Sequence, residues 1–433
     1  MLKTGSKKYR KSLAHYEVAK QLLPNQTQTL SKGPGQFVPG EMPLFNKRAK
    51  GCYVWDVDGN KYLDFIGARW PIILGYAYPS VDRAIKRQLK DGITFPQPHP
   101  LEVEVAELLT EVIPSAEMVR FAKNGSDATS GAVRIARAFT GREIILQCGY
   151  HGAQDWFLIT TARNAGVPRC LKEIIHSFNY NDLPSLEALF KRFKGKVAAV
   201  IMEPMYAKEP KDNFLQKAKD LAHKEGALLI FDEIITGFRW SIGGAQKYFG
   251  VTPDLSCFGK AMSNGMPLSA IVGRRDVMQG TEHIFLSMTY GGECLSLAAA
   301  KATITELRKP AVLAHIWKMG GLVKKGVQAL INKHGLIDVV ECIGVPPTPV
   351  MTFKNARGES ESALKTLFQK YLFDQHIMYA GYFNMTYSHT RKDVETALTA
   401  VDRAFGSLSK DLEAKSVGKK MSHPPEPVFK HAN

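Results

Sequence analysis

The chain has 433 residues, 45% of them hydrophobic and 36 of them glycine, enough to bury one large core and one smaller one. Its net charge of +16 raises the question of a nucleic-acid partner, yet no helix-turn-helix extension, zinc-finger spacing or RNP-like run accompanies it. Part of the excess sits near the ends, in Lys3, Lys7, Lys8, Arg10, Lys11 and Lys20 and in Lys415, Lys419 and Lys420, where a solvated surface or steering of anionic substrates accounts for it. Apolar runs of about five residues fall far short of the roughly 20 that span a bilayer, and the N-terminus lacks an apolar targeting core. Cysteines 52, 148, 170, 257, 294 and 342 are scattered without a Cys-x-x-Cys pair, so neither a disulfide framework nor a metal site is expected. The expectation is a soluble cytoplasmic protein with reduced thiols and no nucleic-acid or membrane partner.

In chain order, the first informative stretch is VRFAKNGSDATSGAVRIARAF at 119–139. Val119 to Ala122 predicts a short strand, and Ala132, Ile135, Ala136 and Phe139 recur at helical spacing, so Asn124-Gly125-Ser126 forms a strand-to-helix turn. Gly125 lets a ligand approach the backbone, Ser126 offers a hydroxyl, and the helix start supplies unpaired N–H groups, a combination suited to phosphate. An ordinary cap with Asp127 in the first turn fits the same residues. The apolar run Ile144-Ile145-Leu146 comes next, then a strand at Ala198–Met202, a helix stripe of Phe214, Ala218, Leu221 and Ala222, a strand at 227–231, and another at Ala270–Val272. Such alternation predicts right-handed crossovers and a mostly parallel sheet. From about 308 the pattern shifts to helices near 311–333 and 361–375 with β-prone pieces at 349–353 and 384–387, the mark of a smaller α+β domain.

The chemistry concentrates around FDEIITGFR at 231–239 and FGKAMSNGMP at 258–267. Ala227 to Phe231 is a continuous apolar run, as in a strand buried on both faces, which leaves Asp232 at its carboxyl end, where open α/β sheets bind ligands. A buried carboxylate requires a cationic partner, and a protonated pyridine nitrogen would serve. Lys260 stands among Phe258, Gly259, Ala261 and Met262, surroundings that desolvate an amine and lower its pKa towards nucleophilic use. Singly, the acid suits a helix cap or a metal, and the lysine suits a solvated surface. Together with the phosphate-type turn they meet the needs of pyridoxal phosphate: an amine for its aldehyde, an acid for its ring nitrogen and a cradle for its phosphate.

These residues, with GCYVWDVDGNKYLDF at 51–65, Tyr150-His151-Gly152, Glu203-Pro204, Pro253-Asp254-Leu255 and Thr289, resemble the class III, fold-type I pyridoxal-phosphate aminotransferases over about residues 40 to 405. The resemblance is strongest to the glutamate-1-semialdehyde aminomutase-like branch. It implies an α/β fold with a large cofactor domain at 76–307 and a small domain built from 1–75 and 308–433, the latter ending in a basic tail. It implies that Lys260 carries the cofactor aldehyde and later moves the α-proton, and that Asp232 keeps the ring nitrogen protonated. Gly125 and Ser126 would hold the phosphate, Tyr150 would stack on one ring face, Ile234 would support the other, and Glu203 would complete the cofactor site. Thr289 would reach the phosphate of the neighbouring subunit in a homodimer. Tyr150 equally suits a core aromatic, and Thr289 a β-prone residue before the Gly291-Gly292 turn.

Substrate residues are where the sequence departs from that branch. Gly67-Ala68-Arg69-Trp70-Pro71 stands where the aminomutases carry a Ser-Trp-Gly stretch, and Arg69, Trp70, Arg163 and Arg239 are the candidate substrate contacts. Arg69 suits a structural ion pair as well. The stretch 27–37 lacks the aminomutase arginine, Gly381-Tyr382-Phe383-Asn384 lacks their glutamate, and Ser263-Asn264 replace two glycines. The expected activity is transfer of an amino group from a donor such as glutamate to an aldehyde, keto acid or keto-sugar-like acceptor in small-molecule biosynthesis. A glutamate-1-semialdehyde 2,1-aminomutase and a non-catalytic protein on the same scaffold are the alternatives.

Overall fold

The computed structural model describes residues 7–421 and 424; Lys3 of the basic N-terminal cluster and the end of the basic C-terminal tail lie outside them. The chain divides into two compact units, one taking in the chain up to Arg69, then Leu74–Tyr78, then Ala314 onward, and the other holding Trp70–Ile73 and Pro79–Leu313.

In the first unit, strands Asn46–Lys50 (β1), Tyr53–Asp56 (β2) and Lys61–Asp64 (β3) form an antiparallel meander. Asp56 turns the β2–β3 corner by accepting from the Asn60 backbone and side-chain amides at 2.8 Å each.

The second unit is built on a seven-stranded sheet. Its strands are Met118–Ala122 (β4), Ile144–Cys148 (β5), Ile175–Ser177 (β6), Val197–Met202 (β7), Leu228–Asp232 (β8), Leu255–Phe258 (β9) and Ser269–Gly273 (β10), in the order β4-β10-β9-β8-β7-β5-β6. The five strands from β9 to β6 are parallel, and β10 runs against both its neighbours. Strands β5, β7 and β8 are buried at every position, which explains their unbroken apolar sequences. Because β10 alone is reversed, the carboxyl ends of β4, β5, β7, β8 and β9 all open on one edge of the sheet.

Back in the first unit, Val340–Ile343 (β11) pairs antiparallel with Val350–Phe353 (β12), and Ile377–Met378 (β13) adds parallel to β3. The β-prone piece 384–387 is not a strand. Its backbone groups go to different partners, Asn384 N–H to Phe65 O and Met385 N–H to Pro347 O, so no ladder continues. The expected helices appear as Pro310–Lys333 and Glu361–Asp374. Among the described residues no helix is long and apolar enough to cross a membrane.

Two adjacent glycines in helix Pro310–Lys333 offer a matched test of this packing. A β-carbon on Gly320 would lie 1.7 Å from the Pro346 carbonyl oxygen, whereas one on Gly321 would meet nothing within 4 Å. Gly320→Ala should therefore destabilise by about 1–3 kcal/mol. Gly321→Ala should stabilise by up to about 1 kcal/mol through helix propensity. Denaturant unfolding of the two variants checks the contrast, and equal effects would contradict the close approach.

Candidate active site

The shared sheet edge gathers residues that lie far apart in the chain. Asp232 ends β8, Glu203 follows β7, Tyr150 and His151 follow β5, Lys260 follows β9 and the Gly125 turn follows β4. Each sits where a strand stops pairing and its backbone turns out of the sheet, as expected for a ligand crevice in this architecture.

Asp232 is buried. Its Oδ2 lies 2.9 Å from His151 Nδ1, and its Oδ1 accepts from the Ile234 N–H at 3.1 Å. The His151 ring is itself enclosed, parallel to Trp156 at 6.2 Å and edge-on to Phe157 at 5.4 Å. His151 was no candidate in the sequence: a histidine one position after Tyr150 carries no spacing signal, and only the meeting of the β5 and β8 ends reveals its role. Glu203 accepts from the Tyr150 N–H at 2.9 Å. Burial and the nearby Asp232 hold its carboxyl above the usual range, with His151, the Tyr150 N–H and Lys260 pulling the other way.

Lys260 occupies a single 3₁₀ turn, Lys260–Ser263, with φ of 39°, a left-handed value unusual for a residue with a side chain. Burial lowers its amine to about pKa 8; Asp232 and Glu203 oppose this and Arg239 adds to it. Its Nζ makes no hydrogen bond or ion pair among the described residues, and stands 5.3 Å from the centre of the Trp70 ring. The neighbouring Pro253-Asp254 segment is structural: Asp254 accepts from the Leu229 N–H at 2.8 Å and pairs with Arg274 at 2.6 Å, aligning β9 with β8. Glu233, next to Asp232, is also structural and caps helix Gly244–Phe249 by accepting from the Ala245 and Gln246 N–H groups, each at 2.7 Å.

Helix Gly125–Thr140 starts at the end of β4, and Asp127 returns to accept from the Asn124 N–H at 2.9 Å. The Gly125 and Ser126 N–H groups have no partner among the described residues. Ser126 Oγ accepts from the Ala153 N–H at 3.0 Å, and the Thr129 hydroxyl donates to His151 O at 2.7 Å, so the helix start is tied to the Tyr150–Ala153 loop. Ile234 links the turn to the lysine: its side chain lies 3.3 Å from where a β-carbon on Gly125 would sit and 3.1 Å from one on Gly259. Tyr150 is 49% exposed and meets Phe157 edge-on at 5.4 Å, so it is a half-open aromatic rather than a core one.

The substrate candidates separate. Arg239 is fully buried, and its Nη2 donates to Trp70 O at 2.7 Å and Ile72 O at 3.1 Å. Those carbonyls belong to a turn in which Gly67, Ala68, Arg69 and Trp70 all have positive φ. Asn264 adds a second tie by accepting from the Ile73 N–H at 3.0 Å, which gives its replacement of a glycine a purpose. Trp70 is buried beside Lys260 and meets Tyr206 edge-on at 6.0 Å. Arg69 lies in the other unit, where its guanidinium donates to Ser31 O. Arg163 is exposed in the loop after helix Asp155–Leu158, with no side-chain partner among the described residues. Thr289 is exposed, between the exposed Phe285 and Tyr290.

Comparison with known proteins decides what this arrangement is. Residues 38–347 match the family model for class-III aminotransferases. The chain belongs to this family. It is 37% identical over 415 residues to the 3-aminobutyryl-CoA aminotransferase of Cloacimonas acidaminovorans, covering 94% of this chain and 99% of that one. It is 36% identical over 431 residues to the glutamate-1-semialdehyde 2,1-aminomutase of Acetivibrio thermocellus, covering 92% and 98%. Among solved structures, the pyridoxal phosphate internal aldimine form of the FumI protein of Sphingopyxis sp. MTA144 superimposes with a TM-score of 0.87 at 29% identity, covering 94% of this chain and 98% of that one. The protein is thus a pyridoxal phosphate-dependent enzyme of amino-group transfer, with the fold-type I architecture of these aminotransferases. The donor set fits that cofactor: a part-buried amine and N–H groups at a helix start walled by Ile234, neither with a hydrogen-bond partner among the described residues, and a buried carboxylate.

The Lys260 environment predicts a pH signature. Neutral amine is the nucleophilic form, so in cofactor-free protein its reaction with a small acylating reagent should rise with pH to half-maximum near about pH 8. Exposed lysines should still be rising towards about pH 10. Quantitative peptide mass spectrometry reads both, and an ordinary midpoint for Lys260 would show that burial does not control it.

Proposed function

We propose that this aminotransferase moves nitrogen between two different molecules, with Lys260 and Asp232 as its catalytic residues. The observation that carries the proposal is the convergence, on one edge of the sheet, of a part-buried amine with no hydrogen-bond or ion-pair partner among the described residues and a histidine-supported buried carboxylate. When bound, pyridoxal phosphate supplies the electron sink that stabilises charge at the amine-bearing carbon. Lys260 offers a neutral amine near physiological pH and can take and return the α-proton at Nζ. Asp232 Oδ1 and Oδ2 present a carboxylate to a ring nitrogen, and His151 orients that carboxylate and keeps it desolvated. Gly125 and Ser126 N–H groups receive the phosphate, Ile234 forms one wall of the ring slot, Tyr150 the other, and Glu203 fixes the Tyr150 backbone.

Trp70 and Tyr206 form an aromatic wall beside Lys260 and favour a small or flat apolar substituent at the reacting carbon. We assign to Arg163 a contact with an anionic substrate group, glutamate being the first donor to try. The relative from Cloacimonas acidaminovorans acts, by its name, on 3-aminobutyryl-CoA, so a β-keto thioester belongs among the acceptors beside aldehydes, keto acids and keto sugars. We further propose a cytoplasmic homodimer. The exposed Phe285, Thr289 and Tyr290, close in sequence to Cys294, whose N–H bonds Ile93 O near the exposed Phe95, make an apolar surface suited to a second copy. The aminomutase reading is second, favoured by relatives such as that from Acetivibrio thermocellus.

Asp232→Ala should retain cofactor yet slow the donor half-reaction by about a hundredfold or more, because a buried, paired charge is lost from beside the ring nitrogen. Stopped-flow absorbance measures this, and near-native rates at full occupancy would remove Asp232 from the mechanism. Incubation with nitrogen-15 glutamate and an acceptor panel separates the two readings of the reaction. Label should appear in the aminated acceptor. Efficient conversion of glutamate-1-semialdehyde to 5-aminolevulinate without added acceptor, and with no label elsewhere, would replace the transaminase reading by the aminomutase one.

A further inference from the structure

Helix Pro79–Asp91 concentrates positive charge in a way nothing in the amino-transfer chemistry calls for. Arg83, Lys86, Arg87 and Lys90 recur at i, i+3, i+4 and i+7 and therefore share one face. With Ser80 and Ala84, and with Ala302 of helix Cys294–Leu307 opposite, they line a groove of about 520 Å³. None of the four cations has an ion-pair or hydrogen-bond partner among the described residues. Cations on and just after the opposing helix are treated differently: Lys301, beside Ala302, pairs with Glu104 at 2.6 Å, and Arg308 pairs with Glu111 at 2.9 Å. The Ser80 hydroxyl oxygen is shielded from solvent and makes no hydrogen bond among the described residues, although it stands in the first turn, at the positive end of the helix dipole.

Like charges at these spacings destabilise the helix that carries them. Asp82 and Asp91 stand on the same helix, four residues from Lys86 and Arg87, but neither pairs with them among the described residues, so the row of cations is left to repel itself unless an anion enters. The groove's volume falls within the range of small-molecule sites. Arg83 and Lys90 are separated by seven residues, about 10 Å along the helix, so the row matches several phosphates spaced along one molecule. We propose that this groove binds a small organic ligand bearing two or more phosphate groups, either a free nucleoside polyphosphate or the phosphorylated adenosine end of coenzyme A carried by a substrate. The proposal does not depend on the roles assigned around Lys260.

Calorimetric titration of the holoenzyme with ATP, coenzyme A, inorganic triphosphate and inorganic phosphate tests it. The polyphosphates should bind one per chain, inorganic phosphate far more weakly, and all should weaken with added salt. Arg83→Ala and Arg87→Ala should each weaken binding about tenfold or more. Both should fold at least as stably as the parent, judged by thermal unfolding, and leave the cofactor absorbance and the donor half-reaction unchanged. A Lys217→Ala/Lys224→Ala double variant, on helix Phe214–Lys224, should bind as the parent does. Preference for coenzyme A would assign the phosphates to a thioester substrate, and equal or better binding of ATP would assign a free nucleotide; both support the groove. No saturable binding, equal affinity in the Arg83 and Arg87 variants, equal loss in the Lys217/Lys224 variant, or binding only to RNA or anionic vesicles would overturn it.

Discussion

Two opposite charges held out of water at the end of a parallel sheet set the terms for the rest of this structure. Asp232 and Lys260 leave adjacent strands β8 and β9; Asp232 is buried and Lys260 partly so. An isolated carboxylate in that place would be costly, and so would an isolated ammonium. The protein meets the first cost with His151 and the Ile234 N–H, and the second by letting burial lower the lysine until a neutral amine is accessible near neutral pH. Neither device works without the other strand ends. His151 reaches Asp232 only because β5 stops two strands away from β8, and the loop that carries it is pinned to the Gly125 helix through Ser126 and Thr129.

A second layer of constraint acts on the backbone. Ala68, Arg69 and Trp70 adopt positive φ in succession, a conformation costing about 1–2 kcal/mol for each residue with a side chain. The buried guanidinium of Arg239 offsets part of that cost by donating to the carbonyls of Trp70 and Ile72, and Asn264, itself left-handed at φ 47°, binds the Ile73 N–H. Arg239 and Asn264 flank the catalytic segments in sequence. Residues that look like substrate ligands from their neighbourhood are thus used to hold the aromatic wall in place.

The sequence made legible whatever depends on local period or on a single strand. The apolar run before Asp232, the turn at Gly125 and the diluted charge around Lys260 each state their surroundings in a few neighbouring residues, and the strands appear within a residue or two of where the runs place them. His151 and Arg239 show where that stops. The partner of His151 lies 81 positions away and the carbonyls bound by Arg239 lie 167 and 169 away, so no local pattern encodes either bond. The piece 384–387 failed for the same reason: β-branched and aromatic residues there favour extension, but its hydrogen bonds go to two separate segments instead of one strand. The β10 reversal is likewise a property of the assembled sheet, and without it the β4 turn would not share an edge with Lys260.

The strained turn also bears on reaction type. A glycine in such a turn would take a left-handed φ at no steric cost. Here Trp70 takes φ 77° and sets its indole 5.3 Å from the Lys260 Nζ, so the strain is accepted in exchange for a wall. On the proposed reading of the reaction, a wall beside Lys260 would narrow the volume in which an intermediate could rotate to present a second carbon to the amine. An aminomutase must permit that reorientation within one retained skeleton. A transaminase needs only one orientation per half-reaction and gains from restricting it, since positioning a single carbon against the base lowers the entropic part of the barrier.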